Sequence, residues 1–186
     1  MKSKNIAIFG GSFNPPHIGH QMILTYLAFS YNFDEIWVSP VYHHYFQKDK
    51  YLISEKNRLE MSEIAFKKIS NKIEIKSIDI DNKFVKTFNT LTYLKSNFKD
   101  YNFTLILGED NYLSRDRWFK FPEIEKMAEI IYLGREGVVS DLNLPFKFPK
   151  ISSTKIRDGI KNNNIDIFKM LDIDVIEYIK DNKLYK

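Results

Sequence analysis

An α/β fold is predicted, with a doubly wound, mostly parallel sheet and helices on both faces. Three observations predict it. Short apolar runs alternate with amphipathic stretches of helical period. Several of those runs stop at a Gly or Pro turn. The chain has 186 residues, 44% of them hydrophobic, enough to bury one sizeable core and little more. One domain, 1–186, is therefore expected. In sheets of this kind ligands sit beyond the carboxyl ends of the strands, so chemistry is expected just after Phe9, Val38, Leu107 and Leu133.

The elements follow in order. Residues 6–9 form a buried first strand that ends at Gly10-Gly11, and 10–16 is a loop with two Gly and two Pro. Residues 17–30 place Ile18, Met22, Ile23, Leu27 and Phe29 at helical spacing. A second strand, 35–38, ends at Ser39-Pro40, and a polar, aromatic loop runs over 41–52. Ser54 with Asn57 resembles a helix start, and 58–69 continues as helix. Residues 73–80 alternate as a strand, with a slip of face between Ile75 and Ile78. Residues 87–98 read as a helix, 103–107 as a strand ending at Gly108, and 128–133 as a strand ending at Gly134. Residues 137–150 form a loop or edge segment, and 153–161 and 174–182 are closing helices.

Composition narrows the function. The net charge of +4 and a pI near 9.0 suit phosphate-rich small molecules, and the basic residues are scattered rather than striped, which argues against nucleic acid. Absence of Cys excludes disulfides, thiolate metal sites and a Cys nucleophile. No run approaches the roughly 20 apolar residues of a membrane span. No signal-peptide pattern opens the chain, so a cytoplasmic protein is expected. Self-association is left open.

The strongest motif is Gly10-Gly11-Ser12-Phe13-Asn14-Pro15-Pro16-His17-Ile18-Gly19-His20, between a strand and a helix. Its glycines let backbone approach a ligand, and the free N–H groups of a helix start favour an anion. His17 and His20, three apart, share one face of the first helical turn, and Gly19 is expected to leave that face open. Two such imidazoles can donate to a phosphate as its charge grows in a transition state. The second motif, Ile151-Ser152-Ser153-Thr154-Lys155-Ile156-Arg157, gathers hydroxyls and N–H groups at another helix start, with Arg157 one turn in. Alone, it would read as an ordinary helix cap.

The first motif resembles GxFxPxHxGH of the HxGH nucleotidyltransferases, with Ser12 where Thr is common and Asn14 where Asp is common. The second matches the ISSTxxR motif of the same superfamily. The resemblance implies a Rossmann-like nucleotidyltransferase fold and an enzyme using ATP. His17, His20 and Arg157 would be catalytic. Gly10, Gly11, Ser12, Phe13, Ser153, Thr154, Gly108 and Asp110 would bind ATP. Mg²⁺ would travel with the nucleotide, with no dedicated metal site.

Middle segments select a branch. Gly108-Glu109-Asp110, followed eight residues later by Trp118, resembles the GxD…W segment of the nicotinate and nicotinamide mononucleotide adenylyltransferases. Thr87-Phe88-Asn89-Thr90-Leu91 resembles their TxDTL segment, with Asn89 in place of Asp. The resemblance implies an acceptor site of Thr87, Asn89, Thr90 and Trp118, with Lys48 and His44 from the 41–52 loop. The Pro-Pro-His-Lys tetrad usual in the nicotinate branch is missing there. Expected partners are ATP and a pyridine mononucleotide; acid and amide acceptors are not separated. Alternatives are another HxGH transferase, such as a pantetheine-phosphate adenylyltransferase or a cytidylyltransferase, and a non-catalytic nucleotide sensor.

Overall fold

A computed structural model describes residues 3–43 and 52–186. Its six strands are β1 (Lys4–Gly11), β2 (Glu35–Pro40), β3 (Ile73–Ile75), β4 (Tyr101–Gly108), β5 (Glu129–Arg135) and β6 (Lys147–Phe148). They pair side by side in the order β3-β2-β1-β4-β5-β6, every pairing parallel. The helices are α1 (Ile18–Ser30), α2 (Glu55–Phe66), α3 (Ile78–Asp81), α4 (Thr87–Asn97), α5 (Glu109–Leu113), α6 (Phe121–Met127), α7 (Ser153–Lys161) and α8 (Ile173–Asp181).

The alternating side chains of the strands divide the interior into two cores. Ala7 and Phe9 of β1, Ile36 and Val38 of β2 and Ile106 of β4 meet α1, α2, α7 and α8 through Leu24, Leu27, Met61, Phe66, Ile156, Val175 and Ile176. Ile6, Ile8, Trp37, Leu105 and Leu107 point the other way, onto Leu91 and Leu94 of α4 and Phe121 and Ile124 of α6. Burial on both faces is why these strands read as continuous apolar runs. The chain winds from β1 towards one edge and from β4 towards the other. The switch point, and the crevice it opens, thus lies at the carboxyl ends of β1 and β4.

The predicted strand over 73–80 is shorter than expected. Only Ile73–Ile75 is strand; Ile78–Asp81 is a turn of helix. Ile75 already pairs with Val38, and β2 ends two residues later at Pro40, so Ile78 has no strand beside it. The slip of face marks that exit. The second helix begins a turn earlier than residue 58, where Ser54 Oγ accepts the Asn57 N–H at 3.3 Å, and it ends at Phe66 rather than 69. The first helix opens at Ile18, with His17 as its N-cap. Within 137–150, Lys147–Phe148 forms the edge strand. The stretch after Gly108 holds α5, a 3-10 turn at Arg115–Arg117 and α6. No helix among the described residues is long and apolar enough to cross a membrane.

Candidate active site

The loop between β1 and α1 turns over the switch point. Phe13 is fully buried in a left-handed backbone conformation (φ 46°). A Cβ on Gly11 would lie 2.8 Å from the Phe13 ring, so Gly11 makes room for that ring. The His17 and His20 rings stack at 3.7 Å and 17°. The edge of Phe13 meets His20 at 5.0 Å, with Phe9 and Phe66 behind it. Gly19 does not leave this face open as expected: its missing Cβ would sit 3.1 Å from His17 Nδ1 and 3.4 Å from Ile151 Cβ. Its role is to let the His17 ring and the second motif close on the helix.

Burial, with the Arg135 guanidinium nearby, lowers His17 to about 4. Burial, then His17 and Arg135, holds His20 well below the ordinary histidine range. Both imidazoles are therefore neutral at pH 7. His20 Nδ1 accepts the main-chain N–H of His17 at 3.2 Å, which assigns its proton to Nε2.

The second motif meets the first across 138 residues of sequence. Ser153 Oγ donates to the Pro15 carbonyl at 2.9 Å, and Arg157 donates to the Asn14 carbonyl at 2.7 Å and to Thr154 Oγ1 at 3.2 Å. Gly10, Gly11, Ser12, Phe13, His17, His20, Ser153, Thr154 and Arg157 thus form one locality around the start of α1. Gly108, ending β4, and Asp110, in α5, border it on the β4 side. A Cβ on Gly108 would stand 2.5 Å from Asp110 Oδ1, so the glycine admits that carboxylate.

Of the residues expected to form an acceptor site, Thr87 and Thr90 lie in the first turn of α4. Thr90 is buried and donates to Asp79 Oδ1 at 2.6 Å. Asn89 is exposed. Trp118 is half-buried against Phe121 in the core of α4 and α6, and its Nε1 is buried without a hydrogen-bond partner. His44 and Lys48 lie outside the described residues.

Four side chains that the sequence reading did not place in the site support it. Arg135, ending β5, pairs with Asp110 at 3.3 Å and donates to the Ile151 carbonyl at 3.1 Å, joining α5 and the second motif beside the histidines. It stands just after Leu133, where a strand end promised chemistry. Glu109, 1% exposed, accepts the Arg135 N–H at 3.1 Å and the Ser140 hydroxyl at 2.6 Å. Arg58, fully buried, donates to the carbonyls of Ser12 at 3.2 Å, Tyr42 at 3.3 Å and Ile53 at 3.2 Å. Tyr185 donates to the Asn14 side chain at 2.8 Å. Only the N-cap context of Arg58 was visible beforehand; the contact of Tyr185 had no local signal.

Three His, Asp or Glu side chains do not converge as a metal cage anywhere among the described residues. The site carboxylate Asp110 is engaged by Arg135.

Residues 8–159 match the family model described as cytidylyltransferase-like. A probable nicotinate-nucleotide adenylyltransferase from Aliarcobacter butzleri is 36% identical over 165 residues, 86% of this chain and 90% of that protein. One from Anaeromyxobacter sp. (strain K) is 30% identical over 98% of this chain and 97% of its own length. Plasmodium falciparum nicotinic acid mononucleotide adenylyltransferase, solved in complex with NaAD, superposes with a TM-score of 0.83 at 26% identity, covering 98% of this chain and 97% of that one.

Proposed function

Because the chain belongs to the cytidylyltransferase-like family, and within it to the nicotinate-nucleotide adenylyltransferases, we propose that it transfers AMP from ATP to nicotinate mononucleotide, forming deamido-NAD and pyrophosphate. One observation carries the reading. The loop that leads into the His17–His20 pair and the Ser-Thr-Arg start of α7 are locked together, Ser153 donating to the Pro15 carbonyl at 2.9 Å and Arg157 to the Asn14 carbonyl at 2.7 Å.

A phosphate oxygen of the mononucleotide attacks the α-phosphorus of ATP. The bond from that phosphorus to the oxygen bridging to the β-phosphorus breaks, and the electron pair leaves with pyrophosphate. No enzyme nucleophile takes part. The His20 Nε2–H donates to an α-phosphate oxygen as its charge grows, and His17 flanks it. Neutral imidazoles avoid the cost of burying a charge before substrate arrives. The N–H groups of α7 with Thr154 and Arg157 hold the β- and γ-phosphates. Gly10, Gly11, Ser12 and Phe13 let the backbone close on the nucleotide, and Gly108 admits Asp110 to it. Arg135 adds a cation between these groups. Thr87, Asn89, Thr90 and Trp118 form the acceptor pocket, the indole face offering a surface for the pyridine ring. His44 and Lys48 belong to the same pocket in this reading. Mg²⁺ carried by the triphosphate would supply charge neutralisation there.

The test is pyrophosphate release from ATP and Mg²⁺ with nicotinate or nicotinamide mononucleotide supplied separately. Turnover with the nicotinate compound is expected. Release with neither overturns the acceptor assignment.

A further inference from the structure

Glu109 is a buried carboxylate that the mechanism above does not use. It opens α5 directly after β4 and is 1% exposed. A charge is stable in such a place only when donors surround it, and three groups donate to this one. Ser140 gives its hydroxyl at 2.6 Å, Arg135 its main-chain N–H at 3.1 Å and Lys147 its ammonium at 3.4 Å. Led by the Ser140 hydroxyl, they hold the carboxyl below its ordinary range, so it is ionised at neutral pH.

These donors are the end of β5, a residue within the 136–146 connection and the first residue of β6. One carboxylate therefore pins that connection at its start, along its course and at its end. Lys147 draws it in further by donating to the Val138 carbonyl. The next residue, Asp110, takes the opposite end of the same arginine, pairing with the Arg135 guanidinium at 3.3 Å. Arg135 is thus held by its main chain at Glu109 and by its head group at Asp110 and the Ile151 carbonyl. The head group lies beside both histidines. A long side chain aims its charge only from a fixed root, because freedom left in the backbone is passed on to the guanidinium.

We propose that Glu109 is a positioning residue: it fixes the root of Arg135 and the loop beyond it, so that the guanidinium meets the triphosphate beside His17 and His20. The inference rests on the reading of this site as an ATP site. Glu109 acts through Arg135, since its own oxygens are spent on Arg135, Ser140 and Lys147.

The experiment measures steady-state kinetics for both substrates, and Kd for ATP with Mg²⁺ by calorimetry, in the wild-type enzyme, Glu109→Gln, Arg135→Ala and the double variant. Gln keeps the size of Glu but puts an amide donor where a second acceptor stood, so the three donors cannot all be served. Glu109→Gln is expected to raise KM and Kd for ATP on the order of tenfold, with KM for the mononucleotide within about twofold of wild type. In the Arg135→Ala background the same substitution is expected to change ATP affinity by less than about twofold, because its route to the nucleotide is gone. A carboxylate that only stabilises the loop would instead give effects that multiply. Multiplying effects, an unchanged KM and Kd for ATP, or an equal rise for both substrates overturns the proposal and leaves the adenylyltransferase reading intact. Ser140→Ala frees the loop from the same carboxylate and serves if Glu109→Gln does not fold. A rise of about threefold in Kd for ATP that vanishes without Arg135 is then expected, and no rise overturns the proposal. A wild-type enzyme that binds ATP but uses neither mononucleotide overturns the acceptor assignment alone, and the calorimetry still decides the role of Glu109. A wild-type enzyme that binds no ATP overturns both.

Discussion

His17 and His20 are two weak bases kept uncharged beside a site for a highly charged substrate. Their stacking at 3.7 Å would be repulsive if both were protonated, so burial and mutual proximity select the neutral pair. The proton on His20 Nε2 is therefore a hydrogen-bond donor, fixed in direction by the His17 N–H. His20→Ala removes that donor but keeps the helix, since Ala is a good helix former. Turnover is expected to fall on the order of a hundredfold with little change in circular dichroism. A rate within a few-fold of wild type would refute the assigned role. The histidines themselves were legible in the sequence because motif spacing fixes them. Arg135 and Tyr185 were not, because their partners lie in distant segments: Tyr185 reaches Asn14 across 171 residues.

At the scale of elements, the strands and helices with long uninterrupted patterns could be read directly. β1, β2, β4, β5 and α7 fall within a few residues of expectation. The misread piece, α3, is a single turn of helix whose Ile-Asp-Ile-Asp alternation imitates a strand. Only the end of β2 decides against it, and that is a tertiary fact. Residues 109–127 broke into three short elements, each too brief to show a period. Arg58 illustrates how one helix serves the site from outside it. From α2 it holds the carbonyls of Ser12 and Tyr42, so two loops at the sheet's carboxyl end share one cation. Arg58→Met keeps much of the volume and strands those carbonyls. A loss on the order of 2–4 kcal/mol is expected in urea unfolding, with a higher KM for ATP. Unfolding indistinguishable from wild type would show that the loops do not depend on it.

For the whole molecule, the histidine pair links the site to stability against acid. His17 has a native value of about 4, against about 6.5 in an unfolded chain. Below pH 6.5 the unfolded state binds a proton that the native state refuses, and His20 behaves in the same sense. Their contribution is complete above 6.5 and is lost as the pH falls towards 4. Asp79, raised to about 6, acts oppositely: its contribution is present below the unfolded value of 3.8 and is lost as the pH rises through about 6. Two imidazoles outweigh one carboxyl, so the urea midpoint should drop from pH 7 to pH 5, and drop less in His17→Asn. An identical drop in both proteins would remove His17 from the account.

The loop between β1 and α1 is gripped mainly by its main-chain carbonyls: Ser12 by Arg58, Asn14 by Arg157, Pro15 by Ser153. Such a grip is indifferent to side-chain identity but strict about length. Apart from the buried Phe13 ring and the Asn14 side chain held by Tyr185, substitutions here leave those carbonyls in place, whereas inserting or deleting one residue shifts carbonyls away from several anchors at once. In a mutational library, this stretch should accept changed letters far more readily than changed spacing.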